Sequence, residues 1–350
     1  MAGSARWSGR RCQFISCSSH FQPPRFVKKY LPGLLLTLLA AGTAHTGQAQ
    51  QMAQYSQYMN NNYLLNPAVA GTEDYIDVKL SFRTQWVGIE GAPRTYYASV
   101  NSSLGRLHTQ SKRTLHDWSR GFHAIGGLVF RDETGPISYT GLYGSYTYNL
   151  ALTRSLRLAL GVAVGMRQFS LDGPALHLYN TNTIIASQAS RVPDGTVGLW
   201  LYNDNFYAGV SSAQILGNQL DVAYDANART LGPNRLERHY FLTGGVRLPI
   251  GDDVSLVPSV LVKYMKPAPV SVDINAKLKI RDILWVGASY RVNDAFAGMV
   301  GVNFSPVASL SYSYDAITSD LAGYQSGSHE VLLGLKLKKK QTAVCPDRFW

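Results

Sequence analysis

Cysteine is nearly absent: the chain has only Cys12, Cys17 and Cys345. The first two fall in an amino-terminal leader, so the mature chain keeps one thiol without an intramolecular partner, and a disulfide scaffold is excluded. Charged residues are also scarce, at 16%. They form no basic tract interleaved with aromatics, which argues against nucleic acid as a partner. Metal-ligand spacing is missing as well, since His108, His116, His123, His177, His239 and His329 include no i, i+4 pair and no cysteine-paired arrangement. There is neither a G-x-S-x-G elbow nor a P-loop. No cofactor is implied, no nucleophile can be named, and nothing in the sequence supports an enzyme.

Long apolar runs are absent too, with one short exception. Lys28 and Lys29 precede Leu34, Leu35, Leu36, Leu38, Leu39, Ala40 and Ala41, and Gly47-Gln48-Ala49 supplies small residues for a cleavage site. The run is too short to span a bilayer and follows Pro32 and Gly33, so it predicts a secretory signal peptide over residues 1–49 rather than an anchor. The residues ahead of it are long for an n-region, which places the expected start nearer Val27. The leader carries six basic and no acidic residues, leaving 27 basic against 22 acidic, a net charge of +5.

What the mature chain does have is period two. In IDVKLSFR, Ile76, Val78, Leu80 and Phe82 share one face, and Asp77, Lys79, Ser81 and Arg83 share the other. SVDINAKLKI sets Val272, Ile274, Ala276, Leu278 and Ile280 against Ser271, Asp273, Asn275, Lys277 and Lys279. Leu158, Leu160, Val162, Val164 and Met166 likewise oppose Arg157, Gly161, Ala163, Gly165 and Arg167. The pattern predicts fourteen strands: 76–84, 94–104, 122–132, 136–150, 155–169, 195–203, 205–213, 238–250, 253–266, 270–280, 282–292, 294–304, 307–315 and 328–338. Most are about 9 to 13 residues long, which suits tilted membrane strands better than soluble sheets.

Connections alternate in length. If strand 1 runs outward, the long ones lie outside and the short ones inside, as in bacterial outer-membrane barrels with periplasmic termini. The exception is 105–121, a charged connection holding Arg106, Lys112, Arg113, His116, Asp117 and Arg120. A spanning sheet must close, because an open edge in hydrocarbon leaves backbone groups unpaired at several kcal/mol each. Tyr139, Tyr148, Tyr202, Tyr264, Tyr290 and Tyr314 stand near strand ends, where an aromatic girdle is expected. Fourteen strands enclose more space than inward side chains fill. Gly161, Ala163, Gly165, Gly301 and Gly334 would enlarge it further.

Four blocks in order, SQYMNNNYLLNPAVAG, RTQWVGIEGAPRTYYASVNSSL, FRDETGPISYTGLYGSYTYNL and SHEVLLGLKL, resemble the PorP/SprF family of Bacteroidetes outer-membrane proteins. The resemblance runs from about Gln51 to Leu337. Its motifs fall on Ser56, Gln57, Tyr58, Asn66, Pro67, Ala68, Gly71, Gln85, Trp86, Gly88, Gly91, Pro93, Thr134, Gly135, Pro136, Ser328, His329 and Glu330. NNNYLL departs from the more apolar stretch that relatives often carry. The resemblance implies an all-β transmembrane barrel accessory to the type IX secretion system, which exports cell-surface proteins including gliding adhesins. It implies as partners a secreted surface protein or its C-terminal sorting domain and periplasmic components of the machinery, and outer-membrane lipid would surround the wall.

The expected organisation is a leader (1–49), an amino-terminal segment (50–75), the barrel (76–338) and a tail (339–350). In the segment, Asn66-Pro67 fixes a turn and removes a ladder donor, so it cannot be a central strand. It reads as a strap or plug at the periplasmic mouth. Tyr58, Asn66 and Pro67, with Trp86, Gly88, Gly91 and Pro93 in the first outer loop, are the candidates for plugging or partner contact. Asp77, Lys79, Arg83, Arg157, Arg167, Asp273 and Glu330 are the candidates for a lumen network. A secretion accessory is the leading reading; a transport barrel for small or hydrophobic solutes, with the Asn-Pro-Ala segment as its hatch, is the alternative.

Overall fold

The computed structural model describes residues 52–104, 121–153, 155–175, 186–220, 235–251 and 253–337. The leader, the charged part of the 105–121 connection and the tail with Cys345 lie outside the described residues.

The alternating segments form an antiparallel sheet: β1 (Ile76–Thr84), β2 (Arg94–Leu104), β3 (Phe122–Thr134), β4 (Ile137–Ala151), β5 (Arg157–Leu171), β6 (Gln188–Tyr202), β7 (Phe206–Ala213), β8 (His239–Val246), β9 (Leu248–Pro249), β10 (Val254–Met265), β11 (Ser271–Ile280), β12 (Leu284–Arg291), β13 (Ala295–Ser305), β14 (Ala308–Ile317) and β15 (Ser328–Leu337). Both β8 and β9 pair with β10 in one register, Gly245 opposite Ser259 and Leu248 opposite Leu256, so β9 continues β8 past Arg247. The sheet therefore has fourteen staves. It closes where β1 meets β15, from Ile76 opposite Leu337 to Thr84 opposite His329.

Burial is inverted relative to a soluble sheet. Leu80, Phe82, Leu142, Val164, Ile274 and Phe296 are exposed, while Ser81, Arg83, Thr147, Asn149, Asn275 and Ser313 are buried. Water on the outside would make this arrangement costly twice over, through exposed apolar area and desolvated polar groups. A hydrocarbon surround removes the first cost, and a polar interior removes the second. The chain is an outer-membrane barrel. Its β1–β2, β5–β6, β7–β8 and β14–β15 connections share one end, here the loop end, and β1 begins and β15 finishes at the opposite, turn end.

Two expectations change. Strand β6 starts at Gln188, not at 195, because Gln188–Gly195 pairs with β5 alone; β7 joins only from Thr196. Pro193 lies in that one-sided stretch, where the missing N–H costs no ladder bond. The aromatic girdle is also smaller than expected. Tyr264, Tyr290 and Tyr314 face outward, but Tyr202 is buried with its hydroxyl on Asn149 at 2.8 Å, and the Tyr139 ring lies under the Arg167 guanidinium, 4.9 Å away. Position near a strand end does not encode the face; a one-residue step in parity does.

Val164 sits at the middle of β5 and is 65% exposed. Val164→Lys should destabilise the barrel by about 2–4 kcal/mol in a bilayer, the cost of lysine at the midplane. Reversible unfolding in lipid vesicles measures this, and an unchanged unfolding free energy would mean that this face meets water.

Candidate functional site in the barrel lumen

The space inside the staves is occupied by the uncharged segment that precedes β1. Its backbone makes three single-turn 3-10 helices, Tyr58–Asn60, Asn62–Leu64 and Pro67–Val69, before the chain enters β1. Short turns of this kind suit a sequence with no 3.6-residue periodicity. The sequence places the segment at the periplasmic mouth; in the structure it runs the height of the lumen. Near the loop end the Met52 N–H lies 3.4 Å from Nε2 of His239, the first residue of β8. Near the turn end the Gly71 N–H donates to Asn101 at 3.1 Å.

The segment reaches every sector of the wall. Tyr58 is hydrogen-bonded to Asn275 of β11. Asn61 donates to Ser99 of β2 at 2.9 Å, and the Tyr63 hydroxyl pairs with Ser145 of β4 at 2.7 Å. Burial pushes the Tyr63 phenol up to about 12 and the Tyr58 phenol well above its ordinary value, so both remain protonated hydrogen-bonding groups at neutral pH. NNNYLL lies inside the barrel: its three asparagines are buried, and Leu64 and Leu65 pack in one cluster with Tyr97, Phe130, Phe241 and Leu261.

Asn66-Pro67 is the best-defined docking point. The Asn66 side chain caps the following turn by accepting from the Ala68 N–H at 2.9 Å, and Pro67 at the first helical position loses no donor that the turn needs. The same amide donates to the carbonyls of Leu199 on β6 and Val210 on β7, at 2.9 and 3.2 Å. Side chains would block this approach, but the inward positions beside it are Gly198 and Gly209. A Cβ on Gly198 would overlap Asn66 Oδ1, and one on Gly161 would overlap the Ala68 backbone nitrogen. Gly161, which the sequence assigns to widening the lumen, therefore receives the segment. Thr147 of β4 completes the seat, donating to the Pro67 carbonyl at 2.8 Å.

Closer to the loop end the segment meets buried charge. Arg83 contacts Asp315 at 2.7 Å and Glu330 at 3.2 Å, with all three side chains almost wholly buried. Ser56 joins them: its hydroxyl accepts from Arg83 at 2.8 Å and donates to Asp315 at 2.5 Å, while its N–H donates to Glu330 at 2.9 Å. Gln57 donates to the Glu330 carbonyl at 3.0 Å and accepts from Ser311 at 2.6 Å. Arg291 extends the network to Asp294 at 2.9 Å, Asp273 at 3.5 Å and Gln54 at 3.0 Å, and Lys263 reaches Asp273 at 3.0 Å.

Of the sequence-derived network candidates, the structure brings Arg83 and Glu330 into contact and links Asp273 to them through Arg291 and Ser56. Asp77 and Lys79 pair with each other at 2.6 Å near the turn end. Arg167 stacks on Tyr139 and Phe130 near the loop end, and Arg157 lies over Phe122 near the turn end. Asp315, Arg291, Asp294, Lys263 and Gln54 were missed. Asp315 was detectable, because it shares the inward parity of Ser311 and Ser313 between outward tyrosines at 312 and 314. His329, which precedes Glu330 in β15, faces outward and bonds the Tyr312 hydroxyl at 2.6 Å.

The first outer loop folds across the rim. Trp86 adopts φ 47° and its N–H donates to Ser328 at 3.2 Å, while Val87 exchanges backbone bonds with Ser326 and Gly327 at 2.7 and 2.9 Å. Gly91, at φ 72°, offers its carbonyl to the Gly135 N–H at 2.8 Å, and the buried Pro93 accepts from Gln85 at 2.9 Å. Gly88 is exposed at φ 103°, with nothing near its Cβ direction.

Two substitutions test the docking. Gly161→Val should displace the 66–68 turn while leaving the staves paired, so that residues 52–72 become cleavable by added protease in a barrel that still shows heat-modifiable gel mobility. Continued resistance would mean that the segment is held elsewhere. Arg83→Met strands two buried carboxylates and should cost about 3–5 kcal/mol of stability, read from chemical unfolding in micelles.

Similar solved structures include the Acinetobacter baumannii outer membrane protein Omp33 (10% identity, 76% of this chain and 100% of that one, TM-score 0.43). The Ralstonia pickettii toluene transporter TbuX is similar at 8% identity over 80% and 93% of the two chains, TM-score 0.44. A Pseudomonas aeruginosa FadL homologue is similar at 11% over 77% and 91%, TM-score 0.39. No curated protein matches the sequence significantly. The family model described as type IX secretion system membrane protein PorP/SprF matches residues 47–335, and the chain belongs to that family.

Proposed function

We propose that this barrel is a non-enzymatic accessory of type IX secretion that serves export or surface attachment of a partner protein, such as a gliding adhesin or its C-terminal sorting domain. The observation that carries this reading is the docked segment. Its side chains bond to β2, β4, β6, β7, β11 and β15 and fill the middle of the barrel, so the surfaces left for a partner are the two rims. At the loop end, Trp86, Gly88, Gly91 and Pro93 form a strapped, partly exposed ledge suited to an exported protein. The turn end faces periplasmic components of the machinery. Family membership supports both assignments.

The transport alternative requires the Asn66-Pro67 turn to leave its seat, breaking the bonds from the Asn66 amide to β6 and β7 and the bond from Thr147. Deletion of the gene should remove a large secreted protein from the cell surface, and the purified barrel should be electrically silent in planar bilayers. An unchanged surface proteome together with steady conductance would favour transport. Gly91→Val provides a sharper test, because its Cβ would lie 3.1 Å from Gly135 Cα on a backbone that disfavours side chains. The variant should fold as a barrel yet lose partner display, measured by immunolabelling of intact cells.

A further inference from the structure

The outer wall at the loop end carries a cleft of about 550 Å3 between β8, β10 and the Gly217 turn. Among the described residues three cations line it, Arg235, Arg238 and Lys266, together with one carboxylate, Glu237. The arginines are positioned rather than loose. The Arg235 Nε–H donates to the Gly217 carbonyl at 2.8 Å and the Arg238 Nε–H donates to the Ile215 carbonyl at 3.0 Å. Each bond uses one edge of a guanidinium and orients the remainder, the arrangement best suited to a phosphate. Gly217 has φ 55°, and a Cβ there would come within 3.1 Å of the Arg235 guanidinium, so the platform depends on glycine.

The side chains below the cleft are ordered by depth. Tyr240 and Tyr264 form the next layer, opposite one another in register with ring centroids 6.1 Å apart. Leu242 and Val260 follow along the same outward face, exposed to the surroundings. Descending from the rim, the sequence is therefore cation, tyrosine, aliphatic. A membrane lipid presents the complementary order: charged head group, interfacial region, acyl chain. A soluble anion would match only the first layer.

We propose that this cleft binds the phosphate-bearing head group of an outer-leaflet lipid, with its acyl chains lying on Leu242 and Val260. The inference rests on the barrel's placement in the outer membrane with the loop end outward, and not on its role in secretion. Among the described lining residues, Glu237 reduces the local charge to a net of two positives, which favours a doubly charged phosphomonoester over a zwitterionic head group.

The test uses the full-length protein, delipidated in non-ionic detergent and mixed with phosphatidic acid or phosphatidylcholine as probes, with bound lipid counted by native mass spectrometry. Wild-type protein should retain phosphatidic acid in preference to phosphatidylcholine. Arg235→Gln/Arg238→Gln/Lys266→Gln should lower that retention by on the order of 100-fold, and Lys266→Gln alone by roughly 5- to 10-fold. Arg281→Gln, at the opposite rim, should behave as wild type. Heat-modifiable mobility verifies folding of each variant. Undiminished phosphatidic acid on the triple variant, equal retention of phosphatidylcholine by the wild type, or displacement by inorganic phosphate as effective as by lipid would each overturn the proposal.

Discussion

Backbone closure is the constraint on which the other features depend. Once β1 pairs with β15 along nine residue pairs, the ring of strands is closed, and the part of the wall paired on both sides can face hydrocarbon with its backbone donors and acceptors matched; only the upper stretch of β6, Gln188–Gly195, stands past β7 with one neighbour. That condition assigns chemistry to each face. Outward positions lose nothing by being Leu, Val, Phe or Ile, and inward positions must be filled by groups that satisfy one another. The same alternation that would build a half-wet soluble sheet here builds a wall with its polar side enclosed.

Enclosure then creates a filling problem. Fourteen staves leave a lumen wider than their own side chains span, and the chain fills it with about twenty of its own residues. The filling segment has no charge, and Tyr58, Asn61, Tyr63 and Asn66 each bond to a group of the wall. Charge comes from the wall instead, as Arg83, Asp315, Glu330 and Arg291, and Ser56 inserts between them as both acceptor and donor. Removing the segment would leave those groups without several of their partners. Segment and wall are therefore energetically coupled, and the state of the lumen and the stability of the barrel cannot vary independently.

Much of the architecture was legible along the chain. The strand series from 76 to 338 and its closure follow from period two and element length, and the identity of inward residues such as Asn275 and Glu330 follows from parity. Gly161 shows where legibility stopped. A glycine on an inward face reads as added space, yet this one marks the place where the backbone of the filling segment lies against the sheet. Pro193 read as a loop because the one-sided pairing of β6 is not visible in β6 itself. Tyr202 has the position of a girdle residue near a strand end, but its parity turns it inward onto Asn149.

The sequence by itself determined which side chains face hydrocarbon and which face inward, because that choice is repeated every second residue and needs no knowledge of distant strands. Tertiary structure alone decided which inward groups meet. Arg83 and Glu330 are 247 residues apart, and Tyr58 and Asn275 are 217 apart. Only the curvature of the closed wall and the path of the segment across it bring such partners within hydrogen-bonding distance, and neither is encoded in any local pattern.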